Sequence, residues 1–185
     1  LDNDIIVKTE NGKVREILDT KKLNILGRHN YENVMAAIAI AESYGVPMEN
    51  IVKSCYDFHA VEHRIEFVKE VNGVKYYNDS KGTNPDAAIQ AVLAMPAATY
   101  IIGGGYDKGS EYDEWIESFG TKVKKLVLMG ATAKKIADCA KKHGFTDIEI
   151  VESMEEAVKL CAGEAKAGEY VLLSPACASW GMFKN

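Results

Sequence analysis

The chain has 185 residues, 47% of them hydrophobic and 26% charged, with a formal net charge of −5. These are the proportions of an ordinary globular protein, long enough for one medium domain or two small ones around a proper core. The acidic balance, with no basic block, argues against a nucleic-acid partner, and the longest apolar stretch, near residues 36–41, is far too short to cross a bilayer.

Residues 5–18 alternate around Asn11-Gly12, a type I′ turn signal, and predict a β-hairpin. The spacing of Val34, Ala37, Ile38 and Ala41 predicts a helix over 31–44 that closes at Gly45, and a second helix is expected over about 48–57. Composition changes at 59–63, which predicts a domain boundary there. A second hairpin, 65–71 and 74–77, turns through Asn72-Gly73. Asn84 is expected to cap a helix with Pro85 at its first position and Ile89, Val92 and Leu93 as its buried stripe. Strand-like runs at 99–102, 126–129, 148–151 and 170–173 then alternate with helical stretches at about 111–119, 132–143 and 154–166. Ser153 and Glu156 form a capping box on the last helix. This alternation predicts an α/β, Rossmann-like fold: a mainly parallel sheet covered by helices on both faces, preceded by an N-terminal hairpin and helices of a separate part. Ligands of such sheets bind beyond the carboxyl ends of the strands.

Cys55, Cys139, Cys161 and Cys177 are widely spaced without a C-x-x-C pair. They are expected to be reduced core thiols of a cytoplasmic protein, and the sequence marks no metal-ligand set. With no initiator Met, no signal peptide and an end at Phe183-Lys184-Asn185, the chain is expected to be a piece of a longer protein.

Four polar clusters sit at the edges of apolar segments, where loops offer side chains to ligands. Lys81 and Thr83 stand just ahead of a helix N-terminus and suit a carboxylate or phosphate. The plainer alternative makes Asn78-Asp79-Ser80 an Asx-type turn and Lys81 a solvated charge. Asp79 fits ribose hydroxyls, a metal-bound phosphate or a structural pair equally well. The 103–108 loop is neither G-x-G-x-x-G nor a Walker A loop, and its three glycines fit close backbone approach or a tight turn. Lys108 behind them can clamp a carboxylate, unless Asp107 neutralises it. Asn30 or Tyr31 can cap the helix near 31, whereas Asn33, one turn in, can hydrogen-bond a base edge. His63 is expected to be a packing histidine, and Arg64 to pair with a phosphate or a carboxylate. Ser179 has no adjacent base and no G-x-S-x-G elbow, which favours a ligand-binding hydroxyl over a nucleophile.

Gly27-Arg28-His29-Asn30-Tyr31-Glu32-Asn33, His63-Arg64-x-Glu66, Tyr77-Asn78-Asp79-Ser80-Lys81-Gly82-Thr83-Asn84 and Leu173-Ser174-Pro175-Ala176-Cys177-Ala178-Ser179 together resemble the Mur ligases of peptidoglycan synthesis, and within them the D-glutamate-adding branch. The resemblance implies that residues 1–60 end a central ATP-binding domain and that 61–185 form most of a C-terminal Rossmann-like domain for D-glutamate. It implies that Asn30 and Asn33 approach adenine, that Arg64 and Asp79 contact the phosphate and ribose region of ATP, and that Lys81 serves the acyl-phosphate zone. Thr83 and Lys108 would hold the α-carboxylate of D-glutamate, and Ser179 its side-chain carboxylate. In the implied reaction ATP, with Mg2+, phosphorylates the alanyl carboxylate of UDP-N-acetylmuramoyl-L-alanine, and the D-glutamate amine attacks the acyl phosphate. The sequence holds no G-T-N-G-K-[ST] phosphate loop and no domain for the UDP sugar, so these 185 residues alone are expected to be inactive. Two alternatives stand: another Mur-type or folylpolyglutamate-type ligase, and a noncatalytic nucleotide-binding Rossmann-like module.

Overall fold

A computed structural model describes residues 1–180, so Phe183-Lys184-Asn185 lies outside the described residues. The chain divides into two compact units, Leu1–Ala60 and Val61–Asn185.

The first unit begins with antiparallel strands β1 (Ile5–Glu10) and β2 (Lys13–Asp19). Their turn holds Asn11 at φ 49° and Gly12 at φ 75°, the two positive angles that a type I′ turn needs. Helix α1 (Arg28–Ser43) starts earlier than its apolar spacing predicted, because its first turn is polar and leaves no stripe to see. Gly27, at φ 97°, is the N-cap, and its carbonyl accepts the Asn30 and Tyr31 N–H groups. Neither Asn30 nor Tyr31 is therefore the cap. At the other end Gly45 donates to Glu42 O and Val46 to Ala41 O, a Schellman closure around the expected glycine. Helix α2 (Met48–Asp57) follows. Ile6, Leu18, Leu23, Ile25, Val34, Ile38 and Ile51 form the core. Ala37, expected on the buried stripe, is exposed, as are Ile40 (60%) and Tyr44 (85%).

The second unit contains β3 (Glu66–Val71), β4 (Val74–Asn78), α3 (Pro85–Ala94), β5 (Thr99–Gly103), α4 (Asp113–Glu117), β6 (Val123–Leu128), α5 (Ala133–Lys142), β7 (Ile148–Ile150), α6 (Met154–Glu164) and β8 (Tyr170–Leu173). Its six strands run in the order β3-β4-β8-β5-β6-β7, and every pairing except β3–β4 is parallel. The sheet explains where the helices go. From β4 through β5 and β6 to β7 the chain moves steadily in one direction, and right-handed crossovers put α3, α4 and α5 on one face. From β7 it turns back to insert β8 between β4 and β5, which sends α6 to the other face. Side chains of β5 and β6 alternate accordingly. Ile101, Leu126 and Leu128 pack with Trp115, Phe119 and Ile136, while Tyr100, Ile102 and Val127 pack with Ala157 and Cys161.

Two local expectations change. Helix α4 is only five residues long. The buried stripe of α3 is Ala88, Ala91 and Val92, and Leu93 is 56% exposed. Small alanines let this helix lie close on the sheet, and that selection carries no large-residue pattern. The caps hold as expected: Asn84 Oδ1 accepts Ala87 N–H (2.9 Å), and Ser153 Oγ accepts Glu156 N–H (3.2 Å). The Glu156 carboxylate reaches Glu152 N–H rather than that of Ser153.

Candidate functional site

Strands β4, β8 and β5 are neighbours, so the loops leaving their carboxyl ends share one rim. The loop after β4 opens as an Asx turn, with Ser80 N–H donating to Asn78 Oδ1 (3.0 Å). Asp79 is only 4% exposed. Its two oxygens accept Ile65 N–H (3.2 Å) and Ser174 Oγ–H (2.7 Å), and its own N–H donates to Leu173 O (2.7 Å). Burial raises the Asp79 carboxyl above its ordinary value, while the bonds from Ser174 and Ile65 and the Arg64 charge pull it back. A Cβ on Gly82 would run into Asp79 Oδ2 and Ser174 Oγ, so glycine there is a packing requirement. Lys81 is exposed and Thr83 half-buried, directly ahead of α3.

The loop after β8 ties its neighbours together. Ala176 N–H donates to Gly82 O (2.9 Å), Gly104 N–H to Pro175 O (2.8 Å) and Tyr106 N–H to Ala178 O (2.8 Å). Buried Ala176 takes φ 55°, a left-handed conformation unfavourable for any residue with a Cβ. A Cβ on Gly104 would strike Met129 O, and one on Gly105 would strike Ala178 O. Gly104 and Gly105, on the loop after β5, thus serve the packing of adjacent loops. Thr132 Oγ1 accepts Gly105 N–H (2.9 Å) and lies 3.3 Å from Cys177 Sγ, which is itself 3.2 Å from Tyr112 Oη.

Asp107 does not neutralise Lys108. It lies 3.7 Å from Lys135 Nζ and accepts Gly109 N–H (2.8 Å). Lys108 Nζ stands 4.9 Å from the centre of the Trp180 ring, which packs against Tyr106. Ser179 is exposed and lines a 30 Å³ cavity with Gly104, Met129, Met154 and Pro175. That space suits a water and is far too small for an amino acid, so any such ligand must lie on the open rim.

His63 is not packed in a core. Its exposed ring nitrogen Nδ1 lies 3.0 Å from Asn78 Nδ2, and the His63 backbone N–H donates to Glu66 Oε2 (2.8 Å). His63 and Ile65 take φ 68° and 45°, and for a β-branched residue the latter is a real outlier. Lys81 N–H donates to His63 O (3.0 Å), which anchors this strained turn to the rim and leaves Arg64 exposed beside it. In the first unit, Asn30 Nδ2 donates to Leu26 O (2.7 Å), and Asn33 projects exposed from α1.

The fold therefore gathers Lys81, Thr83, Lys108 and Ser179 on loops of three adjoining strands, with Arg64 and Asp79 alongside, whereas Asn30 and Asn33 belong to the other unit. Sequence reasoning missed the supports: Ser174 under Asp79, Thr132 and Tyr112 around Cys177, and Trp180 under Lys108. Nothing local marks them, since each acts on a partner distant in sequence.

This rim sits in a recognised setting. Residues 63–177 match the family described as Mur ligase, glutamate ligase domain, and the chain belongs to that family. It is 54% identical over its whole length to a UDP-N-acetylmuramoylalanine–D-glutamate ligase of Lachnospira eligens, of which it covers 41%. The chain spans about 40% of the length of the curated relatives it matches. Among solved structures, a UDP-N-acetylmuramate-alanine ligase from Thermotoga maritima shares its fold at a TM-score of 0.69 and 18% identity, over 91% of this chain and 38% of that one. A Mycobacterium tuberculosis folylpolyglutamate synthase, solved with ADP and AMPPCP, gives 0.63 at 13% identity, over 96% and 46%.

Proposed function

We propose that this chain is the acceptor-binding part of an ATP-dependent ligase that adds D-glutamate to UDP-N-acetylmuramoyl-L-alanine in the cytoplasmic stage of peptidoglycan synthesis. One observation carries the reading. Lys81, Thr83, Lys108 and Ser179 lie at the ends of neighbouring strands, and their side chains make no hydrogen bond or ion pair among the described residues. Two ammonium groups and two hydroxyls suit a small dianionic amino acid. Thr83 and Lys108 take its α-carboxylate and Ser179 its side-chain carboxylate, each charge-assisted bond contributing about 1.5–3 kcal/mol. Lys81, ahead of the α3 N-terminus, faces the acyl-phosphate zone and stabilises charge that develops during transfer.

Leu1–Ala60 is read as the end of the central ATP-binding domain, and Val61–Asn185 as the D-glutamate domain. ATP supplies the phosphoryl group that activates the alanyl carboxylate. The exposed Asn33 amide suits the adenine edge, with Asn30 shaping the helix start beneath it, and the exposed Arg64 guanidinium suits phosphate. Asp79 serves the nucleotide by holding the segments of Arg64 and Lys81 in place. Because Asp79 and Asp107 are both engaged internally, magnesium is assigned to the part of the ligase that this chain does not span.

Steady-state kinetics of the full-length ligase test this. Lys108→Ala should raise KM for D-glutamate far more than KM for ATP, and Lys81→Ala should chiefly lower kcat. Equal effects of Lys108→Ala on both KM values would overturn the acceptor clamp.

A further inference from the structure

On the helical face of the second unit, we propose that Asp113, Cys139 and His143 form a binding site for a divalent cation of the zinc class. Cys139 and His143 are four residues apart on α5 and its C-cap, so both project from one face. Asp113 opens α4, the neighbouring helix. A carboxylate oxygen of Asp113, the sulfur of Cys139 and a ring nitrogen of His143 all lie within 4.8 Å of one another. Tetrahedral zinc, with bonds of about 2.0–2.3 Å, asks its ligands to stand roughly 3.3–3.8 Å apart. Exposed or half-buried side chains reach that by shifts of about an ångström.

The surroundings favour a cation there. His143 Nε2 faces Asp113 Oδ1 at 2.8 Å, and Nδ1 faces Glu117 Oε1 at 3.5 Å. With the metal on Nε2, Nδ1–H donates to Glu117, the carboxylate–histidine–metal relay that fixes the ring's tautomer. Cys139 and His143 sit at the carbonyl end of a ten-residue helix, where the backbone dipole attracts positive charge. Asp113 also lines a 360 Å³ groove with Asp86, Glu111 and Glu114, whose negative field concentrates cations. One sulfur, one nitrogen and one oxygen suit zinc or cobalt, whereas magnesium and calcium ask for oxygen throughout. The bound ion cross-links α4 to α5 and braces Tyr112, the neighbour of Asp113 that contacts Cys177 behind the rim. This inference is independent of the D-glutamate reading.

The test uses the full chain carrying Cys55→Ser. Cys161 and Cys177 are buried, so Cys139 is then the accessible thiol among the described residues. Cobalt(II) should bind one equivalent with a thiolate charge-transfer band and tetrahedral visible bands, and zinc should displace it. Cys139→Ser should abolish the band, and Asp113→Asn and His143→Gln should each weaken zinc by at least ~10-fold, with Glu117→Gln costing ~10-fold. Zinc should raise Tm of the parent chain and leave that of the Cys139→Ser variant unchanged. Cobalt binding without the thiolate band, unchanged zinc affinity in Cys139→Ser, or no Tm response in the parent would overturn the site, leaving only an Asp113–His143 ion pair between two helices.

Discussion

The two units bury their apolar residues to different depths. In Val61–Asn185 many side chains, among them Trp115, Ile101, Leu126, Ile136 and Leu172, are fully enclosed, whereas the core residues of Leu1–Ala60 all keep 3–8% exposure. The cause is geometric. A six-stranded sheet with helices on both faces supplies two closed layers of packing, while a two-stranded ribbon and two helices supply one open layer. The end of helix α1 shows the result, with Ile40 and the C-cap Tyr44 in solvent. Depth of enclosure, rather than apolar content, separates the two units.

The strongest way to break this contrast is Trp115→Ala. Removing a ring with 0% exposure should cost the second unit about 3–5 kcal/mol. Hydrogen exchange read by peptide should show faster exchange in β5 and β6 and no change in α1, and equal acceleration in both units would erase the distinction. Asp79→Asn gives a middle-sized effect. Because burial raises the Asp79 carboxyl, the folded state holds that proton more tightly than the unfolded chain. Its contribution is fully present below the ordinary aspartate value of 3.8 and is lost as pH rises through the raised one. Denaturant melts across that window should therefore show a shallower fall of second-unit stability with pH in the Asn variant. An unchanged slope would show that Asp79 does not report on this unit's depth. The smallest effect belongs to Ile40→Ser, which should alter stability of the first unit by no more than about 0.5 kcal/mol. A larger loss would mean that α1 is covered in solution.

What the sequence made legible was local chemistry. Both hairpins could be placed because Asn11-Gly12 and Asn72-Gly73 admit the paired positive φ angles of their turns. Asn84 and Ser153 announced their helices through caps that need no distant partner. The alternation after residue 84 announced a parallel sheet. The insertion of β8 between β4 and β5 was not legible, since strand order depends on pairings between remote segments. The candidate site divides in the same way. Lys81, Thr83, Lys108 and Ser179 stood out by their positions at element ends, but the Asp79–Ser174 bond joins segments far apart in the chain. The glycines of the 103–108 loop fitted close backbone approach or a tight turn equally well, and at Gly104 and Gly105 the reason is the backbone of Met129 and Ala178 pressing on them. Leu93 misled because size was taken for burial on a helix whose sheet-facing side is alanine.

Strand order also sets a timetable. Tyr170–Leu173 is synthesised after the other five strands of its sheet, yet it is the piece through which β4 and β5 are joined. A nascent chain halted before it would hold a separate hairpin and a separate three-stranded ribbon, with facing edges open to any other strand nearby. Assembly of the second unit's sheet therefore waits on β8, and the loops of the rim acquire their cross-ties in that same closing event.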